Sequence, residues 1–299
     1  MINLSALSHS SRIRSRLQFD ETPTGPARYF SQAFEGYELE GRILANAASP
    51  DALPQVLAIH GARSDYSKLN GILYPLQASG VASLSFNLSG HNTTTDIQLA
   101  DTSLGNNLQE ALRFARCLGT SFDTVIGHSL GGALALKVAE AHKASVRKII
   151  LFCPALYSDV AYQQPFGEPF KSAISVPYSF LDSSSLEFLN EFKGELMLVI
   201  GEFDGLESTA FDKVAGTSAG TVTIDQGTPH ERIINSPIPY EVIEAIEKHL
   251  RPHAFKKHVL PGCDHAVSAW FRNNPEYARD LAQEISGFLN NQCVRHPAH

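Results

Sequence analysis

Residues 123–132 read Asp-Thr-Val-Ile-Gly-His-Ser-Leu-Gly-Gly, a short apolar run that delivers Ser129 into a turn flanked by Gly127 and Gly131. Val125 and Ile126 supply a strand before the serine, and Leu130, Ala133, Leu134 and Leu136 supply helical spacing after it. A serine held between a strand and a helix sits on cramped, partly strained backbone, so the residues two positions to either side must be nearly without side chains. The G-x-S-x-G pattern alone arises by chance and would then be an ordinary glycine-rich turn. Its place between an apolar strand and an apolar-periodic segment makes it a nucleophile elbow, with Ser129 the candidate nucleophile.

A serine hydroxyl is a poor nucleophile at neutral pH, so a base must take its proton and a further group must orient that base. Both are found downstream. Residues 194–204 read Gly-Glu-Leu-Met-Leu-Val-Ile-Gly-Glu-Phe-Asp, a buried-strand run that ends at Gly201 and is followed by the carboxylate of Asp204. Residues 257–265 read Lys-His-Val-Leu-Pro-Gly-Cys-Asp-His, a short strand whose loop carries His265. Twelve histidines are present, so residue type alone says little. His60, His91, His128, His230, His249, His253 and His258 compete on type, but His265 lies between the last apolar strand and the terminal helix. His60 and His128 read as residues that shape loops. For the acid, Asp159 after the strand at 148–152 is the rival to Asp204, and Asp212 is a weaker third choice. The order Ser, Asp, His differs from that of the chymotrypsin and subtilisin types.

On these residues the chain resembles an α/β-hydrolase of the esterase, lipase and serine-aminopeptidase type over residues 37–290. His60-Gly61-Ala62-Arg63 closes the apolar run Val56-Leu57-Ala58-Ile59 and is similar to the family's His-Gly loop. The resemblance implies a mostly parallel central sheet with helices on both faces and a small cap insertion. It also implies an oxyanion hole made by the backbone N–H groups of Ala62 and Leu130, and chemistry that needs no cofactor and no metal. Phe86-Asn87-Leu88-Ser89-Gly90-His91 sits where relatives carry Asp-x-x-Gly-His; Asn87 in place of the aspartate reads as a change in loop anchoring.

The rest of the chain agrees. Residues 28–34 and 37–44 alternate about Glu35-Gly36, a hairpin at the sheet edge. Helical spacing recurs in Leu69, Ile72, Leu73 and Leu76, in Leu108, Ala111, Leu112, Ala115 and Leu118, and in Val242, Ile243, Ile246 and Leu250. A last helix is expected to bury Tyr277, Leu281, Ile285 and Phe288. Alternating strands and helices argue for a parallel sheet covered on both faces. Residues 1–26 are expected to form a flexible tail and 27–299 a single domain, with a cap insertion at about 155–193 and a second insertion at about 205–237. The cap is rich in aromatics, which suits an apolar acyl or aromatic group, although half or more of them would glue the cap to the core. The second insertion reads equally as a flap or a disordered loop.

With 299 residues, 43% apolar and 18% charged, the chain can bury a sizeable core. A formal charge of −7 and scattered Lys and Arg leave no basic stripe for nucleic acid. No apolar stretch reaches the roughly 18 residues of a membrane span. Cys117, Cys153, Cys263 and Cys293 lack metal-ligand spacing and read as free thiols, which together with the missing secretory signal points to the cytoplasm. Residues 1–19, with Arg12, Arg14 and Arg16 and no acid, faintly resemble a transit segment; a basic tail is the plainer reading. The expected partner is a small-molecule ester or thioester. A carboxylic ester hydrolase comes first, an acyl thioesterase next, and a ligand-binding protein on a hydrolase scaffold is the rival from another class.

Overall fold

Strands that are apolar on every residue need cover on both faces, and the central strands here have it. The computed structural model describes residues 22–93, 95–206, 220–224 and 232–291. Its main sheet is built from β1 (Ala27–Ala33), β2 (Glu38–Leu44), β3 (Val56–Ile59), β4 (Ser83–Phe86), β5 (Thr124–His128), β6 (Lys148–Phe152), β7 (Glu195–Gly201) and β10 (Phe255–Leu260). These eight strands run in the order β1-β2-β4-β3-β5-β6-β7-β10. The β1–β2 hairpin is antiparallel at the edge, β2 pairs antiparallel with β4, and the remaining neighbours are parallel. This is the sheet that the resemblance implied.

The period of two divides the strand residues between two cores. Leu57, Ile59, Val125, Ile149, Leu151, Leu196 and Leu198 face one side, where α2 (Leu104–Leu118), α3 (Leu130–Ala141) and α6 (Tyr240–Lys248) cover them. Val56, Ala58, Ile126, Ile150, Phe152, Met197 and Val199 face the other, beneath α1 (Asn70–Ala78), α7 (Val267–Asn273) and α8 (Pro275–Asn290). The expected last helix is α8, and α7 is a further short helix before it, separated at Asn274-Pro275. Helix α8 buries Ala278, Leu281, Ala282 and Ile285, whereas Tyr277 and Phe288 are only partly buried at the rim. Arg42 on β2 is wholly buried: it lies over the rings of Tyr66 and Tyr74 and donates to Asn70 Oδ1 at 2.6 Å, pinning α1 to the sheet.

Between β6 and β7 stand α4 (Glu168–Ser175), α5 (Ser184–Glu191) and two single turns of 3-10 helix. Of the aromatics expected in this cap, Tyr162, Phe166, Phe170, Phe180, Phe188 and Phe192 are buried in the core, Tyr157 is half-buried and Tyr178 is exposed. Most of them fasten the cap. Lys137 on α3 makes an ion pair with Asp159 at 2.7 Å, bonds Ser184 Oγ and lies over the Tyr162 ring, tying cap to helix.

The second insertion carries an antiparallel pair that periodicity did not reveal, β8 (Thr221–Ile224) and β9 (Arg232–Asn235). Residues 1–21, 207–219 and 225–231 lie outside the described residues, as does Cys293. Among the described residues Cys117, Cys153 and Cys263 are free thiols, and no helix is long and apolar enough to cross a membrane.

Chain expected to be tail is held at its end by Gln77. Its Nε2 donates to Pro26 O (2.9 Å) and Ala45 O (3.0 Å), and its Oε1 accepts from Gly25 N (3.1 Å) and Thr24 Oγ1 (3.2 Å). Gln77→Ala should leave buried groups unpaired and cost about 2 kcal/mol in urea unfolding. An unchanged midpoint would show that water replaces the clasp.

Candidate active site

The elbow is built by contact, not by propensity. Ser129 stands at φ 54, ψ −121 between β5 and α3. A Cβ on Gly127 would lie 2.3 Å from Gly131 O, and one on Gly131 would lie 2.3 Å from Ile59 O and 2.4 Å from His60 O. Neither position can carry a side chain, because backbone cannot yield as a rotamer can. The end of β6 and the segment after it close around the turn: Ser129 N donates to Phe152 O (3.0 Å) and Ala155 N donates to Ser129 O (3.0 Å).

The loops after β7 and β10 are joined in the same manner. A Cβ on Gly201 would meet Cys263 O at 2.6 Å and Asp264 O at 2.7 Å, and Phe203 N donates to Cys263 O at 2.8 Å. This contact brings Asp204 to His265 across 61 positions of sequence, and Asp204 Oδ2 accepts from His265 Nδ1 at 3.0 Å. On its other side His265 Nε2 lies 2.8 Å from Ser129 Oγ. Asp204 and His265 are buried and Ser129 is half-buried. The backbone of His265 is itself held, its N–H donating to Asn235 O of β9 at 2.8 Å. With Nδ1–H committed to the carboxylate, Nε2 is left to accept the serine proton.

The other candidates are placed elsewhere. Asp159 is exposed and paired with Lys137. Asp212 and His230 lie outside the described residues. His249 Nδ1 bonds Ala245 O, and His258 contacts Tyr277 Oη and Glu284.

His60, buried, and His128, half-buried, flank the site. His60 Nδ1–H donates to Gly61 O (2.7 Å) while Nε2 accepts from Leu88 N (3.1 Å), a pair of bonds that only the neutral ring can make. Burial, helped by the neighbouring His91, pushes its pKa down to about 4. Burial likewise pushes His128 down to about 3, with His265 adding to the effect. His91 joins this set: Nδ1 accepts from Arg63 N (3.1 Å) and Nε2–H donates to Asn107 Oδ1 (2.8 Å).

Asn107 and Glu110 escaped the sequence reading. Asn107 Nδ2 donates to Glu110 Oε2 (3.1 Å), which also accepts from Ser89 N (3.1 Å), while Oε1 accepts from Tyr37 Oη–H (2.7 Å). A polar pair three residues apart on the face of α2 that also buries Ala111 and Phe114 was the available signal. Asn87 is an anchor: its Oδ1 accepts from Tyr66 N at 3.1 Å, holding the turn after the His-Gly loop.

Ala62 is exposed in the turn between His60 and Asp65, and Leu130 opens α3. A Cβ on Gly61 would lie 3.2 Å from Ser129 Cβ, so the His-Gly loop passes directly beside the serine. Sγ of Cys153, a nitrogen of His265 and a carboxylate oxygen of Asp204 all lie within 4.8 Å of one another, the one buried group of three potential metal ligands among the described residues.

Residues 56–283 match the model of a family described as Alpha/beta hydrolase family. Among solved structures, the thioesterase domain from the curacin biosynthetic pathway superposes with TM-score 0.58 at 16% identity, over 87% of this chain and 99% of that one. Est1E from Butyrivibrio proteoclasticus, solved with ferulic acid bound, gives 0.58 at 18% identity over 85% and 98%. The meta-cleavage product hydrolase of Pseudomonas fluorescens IP01 gives 0.56 at 14% over 87% and 97%. At these identities the likeness is one of fold. No curated protein sequence matches the chain.

His60 and His128 have pKa values depressed in the folded chain, so the stability they contribute is complete above the ordinary imidazole value of about 6.5 and is lost as pH falls toward 4. The urea midpoint should therefore drop between pH 7.5 and 4.5, and His60→Gln should shrink that drop. An equal drop in the variant would mean that other groups drive acid unfolding.

Proposed function

Because the chain belongs to the α/β-hydrolase family, we propose that it is a serine hydrolase that cleaves a carboxylic ester through an acyl-serine intermediate. The observation that carries this reading is the unbroken hydrogen-bond line from Ser129 Oγ through His265 to Asp204, at 2.8 and 3.0 Å. Its members come from three strand ends that are distant in sequence. Nothing in local folding would assemble them.

In the proposed reaction Ser129 Oγ attacks the carbonyl carbon as His265 Nε2 takes its proton, and Asp204 stabilises the imidazolium that forms. Negative charge develops on the carbonyl oxygen, and the N–H groups of Leu130 and Ala62 are the proposed donors to it. Two features support Ala62. The peptide joining Gly61 to Ala62 is trans, so its N–H points opposite to its carbonyl. Since His60 holds that carbonyl, the Ala62 N–H is turned to the far side, in a loop whose Gly61 lies against Ser129. Losing one such donor typically costs about 3 kcal/mol of transition-state stabilisation. Protonated His265 then gives its proton to the leaving alkoxide, and the base it regenerates activates water for hydrolysis of the acyl-serine.

A small to medium acyl group, or an aromatic one, is the proposed substrate class. The aromatic acid held by Est1E on the same fold supports it. A thioester is the second reading, favoured by the likeness to a thioesterase domain, since the same acyl transfer accepts either leaving group. A ligand-binding protein on this scaffold is the alternative outside catalysis. The three free thiols among the described residues suit a reducing compartment such as the cytoplasm.

The test is mass detection of a serine adduct after a fluorophosphonate probe, beside turnover of a p-nitrophenyl ester chain-length series. Ser129→Ala should lose both adduct and turnover, by about a millionfold in kcat as in related triads, while keeping the wild-type unfolding midpoint. Absence of adduct and turnover in the wild type would favour the binding protein. Asp204→Asn should lower kcat about 10⁴-fold, whereas Asp159→Asn should lower Tm with little effect on kcat. The reverse ranking would move the acid to Asp159.

A further inference from the structure

The carboxylate that orients His265 is only half satisfied. Asp204 Oδ2 takes the imidazole N–H, but Oδ1 is buried and has no hydrogen-bond partner at ordinary geometry among the described residues. Its side chain is 1% exposed, so water does not serve it freely. A buried carboxylate with one donor is costly, and such a group draws whatever donor is near.

The near group is Cys153. It follows β6 directly, is wholly buried, and its Sγ lies within 4.8 Å of a carboxylate oxygen of Asp204 and of a ring nitrogen of His265. The thiol sulfur accepts the Gly201 N–H at 3.4 Å, which leaves its own S–H free to donate. Burial first, and then the charge of Asp204, push the thiol pKa well up, so it is a thiol and not a thiolate. The other buried thiol nearby is engaged: Cys263 Sγ–H donates to Asp264 O at 3.1 Å. The backbone adds a reason for the side chain's aim. Cys153 stands at φ 44, with its N–H on Val199 O of β7, in the short segment whose neighbours Phe152 and Ala155 clamp Ser129.

Resting on the triad reading above, we propose that Cys153 is a positioning residue that donates its S–H to the carboxylate of Asp204, fixing the orientation of that carboxylate and moderating its hold on His265. A thiol suits the place because it packs as a small apolar group among Phe152, Met197 and Val199 while still offering a donor. It does not touch the reacting atoms.

Cys153→Ala removes the donor and leaves the carboxylate more basic. The acid limb of the kcat/KM profile should move up by roughly half a pH unit, and kcat should fall roughly three- to tenfold with KM unchanged. Cys153→Ser keeps a donor and should return both toward wild type. Assays contain EDTA, so that metal on the Cys153, Asp204 and His265 group does not contribute. A Cys153→Ala enzyme with wild-type kcat and acid limb would overturn the proposal, as would a Cys153→Ser enzyme as impaired as the alanine variant. If the alanine variant does not fold, Cys153→Gly, which suits the φ of 44 and likewise carries no donor, takes its place: its acid limb should move up, and a limb at the wild-type position overturns the idea. If the wild type forms no Ser129-dependent adduct, the hydrolase reading fails by itself. The Cys153 contact is then read by NMR, where its loss should move the low-field ring N–H signal of His265 further downfield; an unmoved signal overturns it.

Discussion

The site depends on one close approach of backbone to backbone. Gly131 lies so near the carbonyls of Ile59 and His60 that the helix after Ser129, the strand before it and the loop after β3 meet with no side chain between them. That contact holds Ser129 at φ 54, a conformation worth of order 1–3 kcal/mol of strain that isolated chain would not keep. It also places the serine at the first turn of a helix, where free N–H groups gather. The strained turn persists because surrounding packing over-determines it: its N–H is bonded to the end of β6 and its carbonyl to the segment after it.

Around this turn the polar groups form a continuous frame of neutral imidazoles. His60 bridges Gly61 to Leu88, His91 bridges Arg63 to Asn107, and Asn107 passes the bond to Glu110. Each ring donates through one nitrogen and accepts through the other. A proton added to either would break an accepted bond in a dry place, and burial keeps both rings neutral. The loop beside the serine is therefore set by rings that burial keeps neutral.

The two insertions are attached in different ways. The cap is fixed to α3 through aromatic burial and through Lys137. The β8–β9 pair is attached at the base, since Asn235 accepts from the His265 N–H and donates to Asp264 Oδ2 at 3.1 Å. The expectation that this stretch is equally flap or irregular loop overlooked paired strands. Its Thr, Ser and Gly content masked a weak alternation that pairing, not propensity, selects.

What could be read along the chain was whatever repeats or is forced locally. The apolar runs Val56–Ile59, Lys148–Phe152 and Glu195–Gly201 announce buried parallel strands, and two glycines spaced about a serine announce a turn in which no side chain fits. The choice of His265 among twelve histidines followed from its place after the last strand. Partnerships across distance were not legible. That the Asp204 and His265 side chains meet is decided by Gly201 packing on the carbonyls of Cys263 and Asp264, and the value of Glu110, Asn107 and Arg42 lies wholly in neighbours supplied by other elements. Cys153 is the clearest case. In sequence it is one small residue after a strand, and only the tertiary structure sets its sulfur within 4.8 Å of a carboxylate oxygen of Asp204, a buried group one of whose oxygens lacks a donor. Sequence periodicity reports how each element faces a core, whereas hydrogen bonding in a dry site depends on distances between elements, which exist only after the chain has folded.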